Sequence, residues 1–141
     1  MKIVLLVFLI NVGVFADYER ENDTLIESKY HLQWQDTTAK RALWQEAVDI
    51  CENSDFGGYN DWRLPNIQEL RTIVDRYKQG LSIVEDFTNL DNLPDVEFKH
   101  WSSTTKVTNK ANAYHINFMN GTVSDSVKYT NNHYVRCVRS F

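Results

Sequence analysis

Two cysteines, four histidines and one dense acidic stretch are the residues of this chain best suited to chemistry. Cys51 and Cys137 could form a disulfide or act as thiols, but two cysteines without a CxxC cannot close a structural zinc site. Glu85, Asp86, Asp91, Asp95 and Glu97 place five carboxylates within thirteen residues, with Asn89 and Asn92 among them. Calcium takes six to eight oxygen ligands, so Asp86, Asp91, Asp95 and Glu97 form a candidate calcium set. A solvated acidic loop accounts for the same residues without an ion, and no other cofactor is expected. His31, His100, His115 and His133 lie far apart, with no HExxH or HxH spacing. The chain has no GxSxG, Walker loop or dinucleotide fingerprint. An enzyme is not expected.

The N-terminus sets the compartment in which those cysteines act. Lys2 precedes an apolar run from Ile3 to Phe15, and Val14-Phe15-Ala16 has the small residues of a signal-peptidase site. The run is too short to span about 30 Å of hydrocarbon. Residues 1–16 therefore read as a signal peptide, and export to the periplasm or the extracellular space follows. The mature chain would begin at Asp17 and hold 125 residues, with 14 basic and 19 acidic side chains, net −5. Without a basic block no nucleic-acid partner is expected, because neutralising phosphates needs clustered Lys and Arg. The composition, 43% hydrophobic and 24% charged, fits one globular domain. In an oxidising compartment an even cysteine count makes a Cys51–Cys137 disulfide the default, with two buried free thiols as the alternative.

The elements that must position these residues read as α+β. Asp17–Asp23 is charged and predicted to fray. Thr24–Ile26 and Tyr30–Gln35 are β-prone and separated by polar residues, a hairpin-like start. A helical pattern runs from about Thr38 to Asn53, capped by Asp36 or Thr37. Leu43, Ala47 and Ile50 lie on one face of it, with Trp44, Val48 and Cys51 on the next. A second helix follows Arg63-Leu64-Pro65, with Asn66 and Glu69 at capping-box spacing. Its predicted stripe is Ile67, Leu70, Ile73, Val74 and Tyr77, stopped near Gly80. Residues 81–100 show no period and read as a long structured loop. Tyr114, Ile116 and Phe118 alternate with His115 and Asn117 before an Asn120-Gly121 turn signal. A two-residue turn would set Phe118 against Val123 and Tyr114 against Val127. His115 would then lie on the solvent face. Tyr134–Arg139 reads as one closing strand, which the disulfide would fasten to the first helix.

Several stretches also carry a likeness. Trp44-Gln45-Glu46-Ala47, Gly57-Gly58-Tyr59-Asn60-Asp61-Trp62-Arg63-Leu64-Pro65-Asn66, Trp101-Ser102-Ser103-Thr104, Asn120-Gly121 and Tyr134-Val135-Arg136-Cys137-Val138-Arg139 occur in that order. Together, over about residues 24–139, they resemble the Lcl C-terminal domain family, named for the C-terminal domain of a bacterial collagen-like adhesin. The resemblance implies a C-type-lectin-like fold, related to formylglycine-generating-enzyme-like domains: a twisted, mainly antiparallel sheet, two helices and a long ligand loop. It also implies a helix-to-last-strand disulfide, the pairing reached above from cysteine count and element order. The founding adhesin is associated with sulfated glycans, but its collagen-like repeats are absent here. The sulfatase-activating relatives use paired active-site cysteines, which here look committed to the bridge. The Glu-Pro-Asn or Gln-Pro-Asp tripeptide of calcium-dependent sugar binders is missing.

Two further clusters compete as sites. Asp61-Trp62-Arg63-Leu64-Pro65 reads first as structure: Trp62 and Leu64 plug the core, Arg63 pairs with a carboxylate, and Pro65 opens the second helix. Its functional reading makes Arg63 an anion anchor and Trp62 a stacking platform. Trp101 is placed with this structural set. Lys106, Asn109, Asn131, Asn132, His133, Tyr134 and Arg136, with Tyr129, Lys110 and Asn112, could bind a glycan through hydrogen bonds and ring stacking. An ordinary turn-rich surface uses the same residue types. The expected partner is a surface or envelope glycan, or another exported protein. The alternatives are a formylglycine-generating-enzyme-like catalyst and a structural envelope protein. For the acidic stretch, the expected result is one melting temperature in EDTA and in millimolar calcium; a calcium-dependent rise would place an ion there.

Overall fold

The computed structural model describes residues 17–37, 40–78, 80–84, 87–88 and 98–141. Two sheets divide the strands. The first has the order β1-β2-β3-β9, from β1 (Tyr18–Glu21), β2 (Thr24–Glu27), β3 (Leu32–Gln35) and β9 (Val138–Ser140). The second has the order β4-β8-β5-β6-β7, from β4 (Lys40–Ala42), β8 (His133–Val135), β5 (Lys99–Thr105), β6 (Asn112–Asn117) and β7 (Thr122–Val127). All neighbours are antiparallel except β5 and β8, which meet in parallel at His100 and Tyr134. Two helices, α1 (Trp44–Glu52) and α2 (Ile67–Thr72), complete a mixed α+β domain.

Two apolar clusters fill the interior. The larger gathers Leu25, Trp34, Leu70, Ile73, Phe98, Ile116, Phe118 and Val138 between the first sheet, α2 and one face of the second sheet. The smaller packs Ala47 and Cys51 of α1 against Trp62, Leu64, Trp101 and Cys137. Indole N–H groups need partners when buried. Each of the four has one at 2.9 Å: Trp34 on Glu27, Trp44 on Ser102, Trp62 on Phe56 and Trp101 on Ala42. Glu27, itself buried, also accepts from the Thr72 and Tyr18 hydroxyls, which ties β2 to the end of α2.

Several expectations from sequence are corrected. The N-terminal stretch is strand rather than frayed chain, with Tyr18 opposite Glu27. Tyr-Glu-Arg-Glu carries no apolar alternation because β1 is an exposed edge, where charge discourages further pairing. The first helix starts at Trp44, not Thr38, because Lys40–Ala42 is taken by β8 as strand. Its cap comes from Glu46, which accepts the Leu43 N–H at 3.0 Å, and Ile50 faces solvent. The second helix keeps its capping box: Asn66 accepts from Glu69 N–H at 2.8 Å, and Glu69 from Asn66 N–H at 2.9 Å. It ends at Thr72; Val74 then bridges Ile83, and Tyr77 is wholly exposed.

The β6–β7 register also differs by two residues. Ile116 opposes Val123 and Asn112 opposes Val127, around a four-residue turn closed by Gly121 N–H on Asn117. Phe118 leaves the ladder because its N–H goes to Phe98 and its carbonyl to Ser82. Gly121 sits at φ +73, and a Cβ there would lie 2.9 Å from Val74, so glycine is required on both counts. A shift of two preserves the faces, which is why the apolar alternation could not distinguish the registers. The closing strand is two strands, because Arg136-Cys137 carries the chain from the second sheet to the first.

Cys51 and Cys137 form the disulfide, with Cα atoms 5.4 Å apart, fastening α1 to that crossing. The bridge closes a separation of 86 residues. On the chain-entropy argument it stabilises the fold by up to about 4 kcal/mol. The double variant Cys51→Ala/Cys137→Ala should lose stability on that scale in urea titrations. Non-reducing mass spectrometry of exported protein should find no free thiol; two free thiols would overturn the bridge.

Candidate functional site

A shallow, open groove of about 530 Å³ lies between α2, the last strand and the turn joining β2 to β3. Its construction follows from local sequence. Ser28–Tyr30 forms a single 3-10 turn, ended by His31 in the left-handed region at φ 54. That turn leaves the Tyr30 ring half exposed, with the Lys29 ammonium 5.1 Å from its centroid. Leu32 pairs with Ser140 beneath it. On the other wall, Arg63 clamps Glu69 through two bonds of 2.7 and 2.8 Å and reaches Ser140 Oγ at 2.9 Å. Glu69 is therefore consumed by Arg63 and by the helix cap. Asn66, Gln68, Arg71 and Thr72 line the same wall, with Arg71 donating to Gln68 at 3.2 Å. An aromatic face beside amides, hydroxyls and a guanidinium can stack a sugar ring and hydrogen-bond its hydroxyls. The Asn66–Glu69 cap is legible in the sequence, whereas Tyr30, which reads as a strand residue, ends the 3-10 turn before β3. The signal available was a large aromatic directly after the polar Glu27-Ser28-Lys29.

The Asp61–Pro65 motif is spent on architecture. Trp62 and Leu64 are buried in the smaller cluster, and the Arg63 backbone bridges Val138 with two 2.9 Å bonds. Pro65 precedes the helix cap and accepts the Ser103 N–H. Asp61 accepts from Arg139 at 2.7 Å, and that bond holds its carboxyl below the usual range. Trp101 is fully buried.

The predicted polar cluster divides. Lys106 and Asn109 lie in the turn before β6, beside the turn after β7 that carries Asn131 and Asn132. His133, Tyr134 and Arg136 lie inside the protein, which corrects their placement on a ligand surface. Arg136 donates to the Gln35 carbonyl at 2.8 Å and faces Asp36 at 3.5 Å. Tyr134 stacks on His100, with ring centroids 5.5 Å apart. Asp86, Asp91, Asp95 and Glu97 lie outside the described residues, as does the 1–16 segment. Among the described residues no three His, Cys, Asp or Glu side chains converge on one point.

The buried imidazoles are the main electrostatic feature. His115 is 1% exposed, not on the solvent face, because that face of the sheet carries the smaller cluster. Its ring lies 4.8 Å from His133 and 6.3 Å from Trp101. Burial pushes His133 down to about 4, and the charges of His115, Lys99 and Arg41 act in the same direction. His133 Nε2 shares a hydrogen bond of 2.9 Å with Ser126. His100 sits among Phe98, Phe118 and Tyr134 with neither ring nitrogen hydrogen-bonded. Burial holds it well below its usual value.

Depressed histidine pKa values mean that the unfolded chain binds more protons than the fold as pH falls. This stabilisation is complete above about pH 6.5 and is lost on acidification, by up to about 1.4 kcal/mol per pH unit for His100. Urea midpoints should fall between pH 7 and pH 4, and His100→Phe should flatten that slope. Parallel slopes for parent and variant would remove His100 from the effect.

No curated protein matches the chain in sequence. The Lcl C-terminal domain matches residues 23–139, which take in both helices and every strand except β1 and the last residue of β9, and the chain belongs to that family.

Proposed function

We propose that this chain is an exported, non-catalytic carbohydrate-binding module that recognises a surface or envelope glycan through the Tyr30 groove. The observation that carries the reading is the groove itself: shallow, open, with a half-exposed ring beside Asn66, Gln68, Arg71 and Thr72. A catalytic site calls for a deeper pocket with convergent titratable groups. The paired-cysteine chemistry of formylglycine-generating relatives also has no free thiol to use among the described residues. Export is supported by the disulfide and by the apolar N-terminal run. No helix among the described residues is long and apolar enough to cross a membrane. A C-type-lectin-like fold is part of the proposal, supported by the pairing of N- and C-terminal strands in one sheet and by the bridge from α1 to the last crossing.

A glycan-array screen with calcium and with EDTA tests the reading. Hits on one glycan class are expected, and Tyr30→Ala should weaken them about tenfold through lost stacking. Retained binding in a folded Tyr30→Ala variant would move the site elsewhere. A blank screen on folded protein would replace the glycan with an exported protein partner or a structural role.

A further inference from the structure

One end of the second sheet carries an unusual pair of turns. Asn112 opens β6 and Val127 closes β7, and the two are directly opposed. The turn entering β6 and the turn leaving β7 therefore emerge side by side. Lys128 N–H binds the Ala111 carbonyl at 2.9 Å, and Lys128 Nζ binds Thr105 Oγ1 at 2.8 Å. Each turn lifts one apolar side chain into water: Val107 is 89% exposed and Tyr129 69%. Neither tip is loose. Lys106 N–H binds Asn112 O, Asn109 N–H binds Lys106 O, and Asn131 N–H binds Val127 O. Apolar groups held out on rigid turns serve no packing role in the fold.

The charge around them is mainly positive. Lys106, Lys110 and Lys128 flank the two tips, and the Lys128 ammonium lies 4.0 Å over the part-buried Trp44 ring. The nearby carboxylates are engaged: Asp125 with Lys106 and Asn112, and Glu46 with the Leu43 N–H. A lysine cluster here runs against a mature chain of net −5. We infer that these two turns dock on an anionic phospholipid surface, with Val107 and Tyr129 at the headgroup–acyl boundary and the lysines on lipid phosphates. Isolated projecting side chains suit a fluid surface that closes around them, whereas a folded protein partner would need matching holes. Lysines beside an interfacial tyrosine are the usual chemistry of such contacts. Two shallow anchors and a few lysines give weak, reversible attachment, not insertion. The inference does not rest on the glycan groove.

Co-sedimentation of the full chain with phosphatidylcholine vesicles, plain or with a third of the lipid as phosphatidylglycerol, tests it. All variants keep the apolar run at Ile3–Phe15, so differences between them report on the turns. Binding should rise with phosphatidylglycerol and fall with salt. Val107→Ser/Tyr129→Ser should lower it roughly tenfold, and Lys110→Glu about fivefold on anionic vesicles only. Lys110 is exposed and outside the strands, so this variant gives the reading even if the double variant fails to fold. Partitioning indifferent to phosphatidylglycerol would overturn the inference. So would a folded Lys110→Glu or double variant that binds like the parent, or one that loses a soluble glycan instead of vesicles.

Discussion

The chain passes between its two sheets at two neighbouring places, and a buried ion pair holds them together. Asp36 lies just beyond β3, where the chain leaves the first sheet for β4. Arg136 lies between β8 and β9, where it returns. Both side chains are out of water, and Arg136 Nη1 stands 3.5 Å from Asp36 Oδ1. Asp36 also accepts from Arg20 at 2.8 Å and from the Thr88 N–H and hydroxyl at 2.9 and 3.0 Å. Arg136 lies 4.3 Å from the Phe87 ring centroid. Burial draws the guanidinium down to about 10, against the opposing pull of Asp36, so it stays charged near neutrality. Removing Asp36 would strand the Arg136 charge in the interior, a loss of about 3–5 kcal/mol in comparable pairs. The Cys51–Cys137 bridge is set one residue from this pair, and the two restraints reinforce each other.

The surface features follow from that junction. Because the chain crosses there, β9 falls beside β3 and places Ser140 opposite Leu32, which makes the floor of the groove. The same strand receives the Arg63 backbone at Val138, leaving the Arg63 guanidinium aimed at Glu69 and Ser140. Arg63 thus couples the crossing to the start of α2, and its motif is better understood as a strut than as a ligand contact. On the other side of the junction, β8 runs from the turn bearing Tyr129, so the position of that turn depends on the same restraint.

Features encoded within a few residues were legible in the sequence. The Asn66–Glu69 cap, the presence of the β6–β7 hairpin (though not its register) and the cysteine bridge each rest on local spacing or on a count. Features decided by tertiary competition were not. Lys40-Arg41-Ala42 extends a helical pattern, yet β8 offers it a ladder and takes it. His100-Trp101-Ser102 puts three consecutive buried side chains in β5, so the central strand has no period-2 signal to read. Arg136 looked like a surface cation because only the fold brings Asp36 to it. The Tyr30 groove was equally silent, since its walls come from residues 30–32, 66–72 and 140, far apart in the chain.

The distribution of polar groups bears on what kind of work the molecule can do. The groups with the most chemical potential are enclosed. Asp36 and Glu27 are saturated with donors, and His100 and His133 are held neutral by burial. Groups so placed stabilise a single conformation and are unavailable to a substrate. What remains at the surface of the groove is a ring, two amides, a guanidinium and a hydroxyl, on elements braced by the Arg63–Glu69 clamp. Such an array exchanges hydrogen bonds and apolar contact with little reorganisation, which favours recognition because few side chains lose freedom on binding.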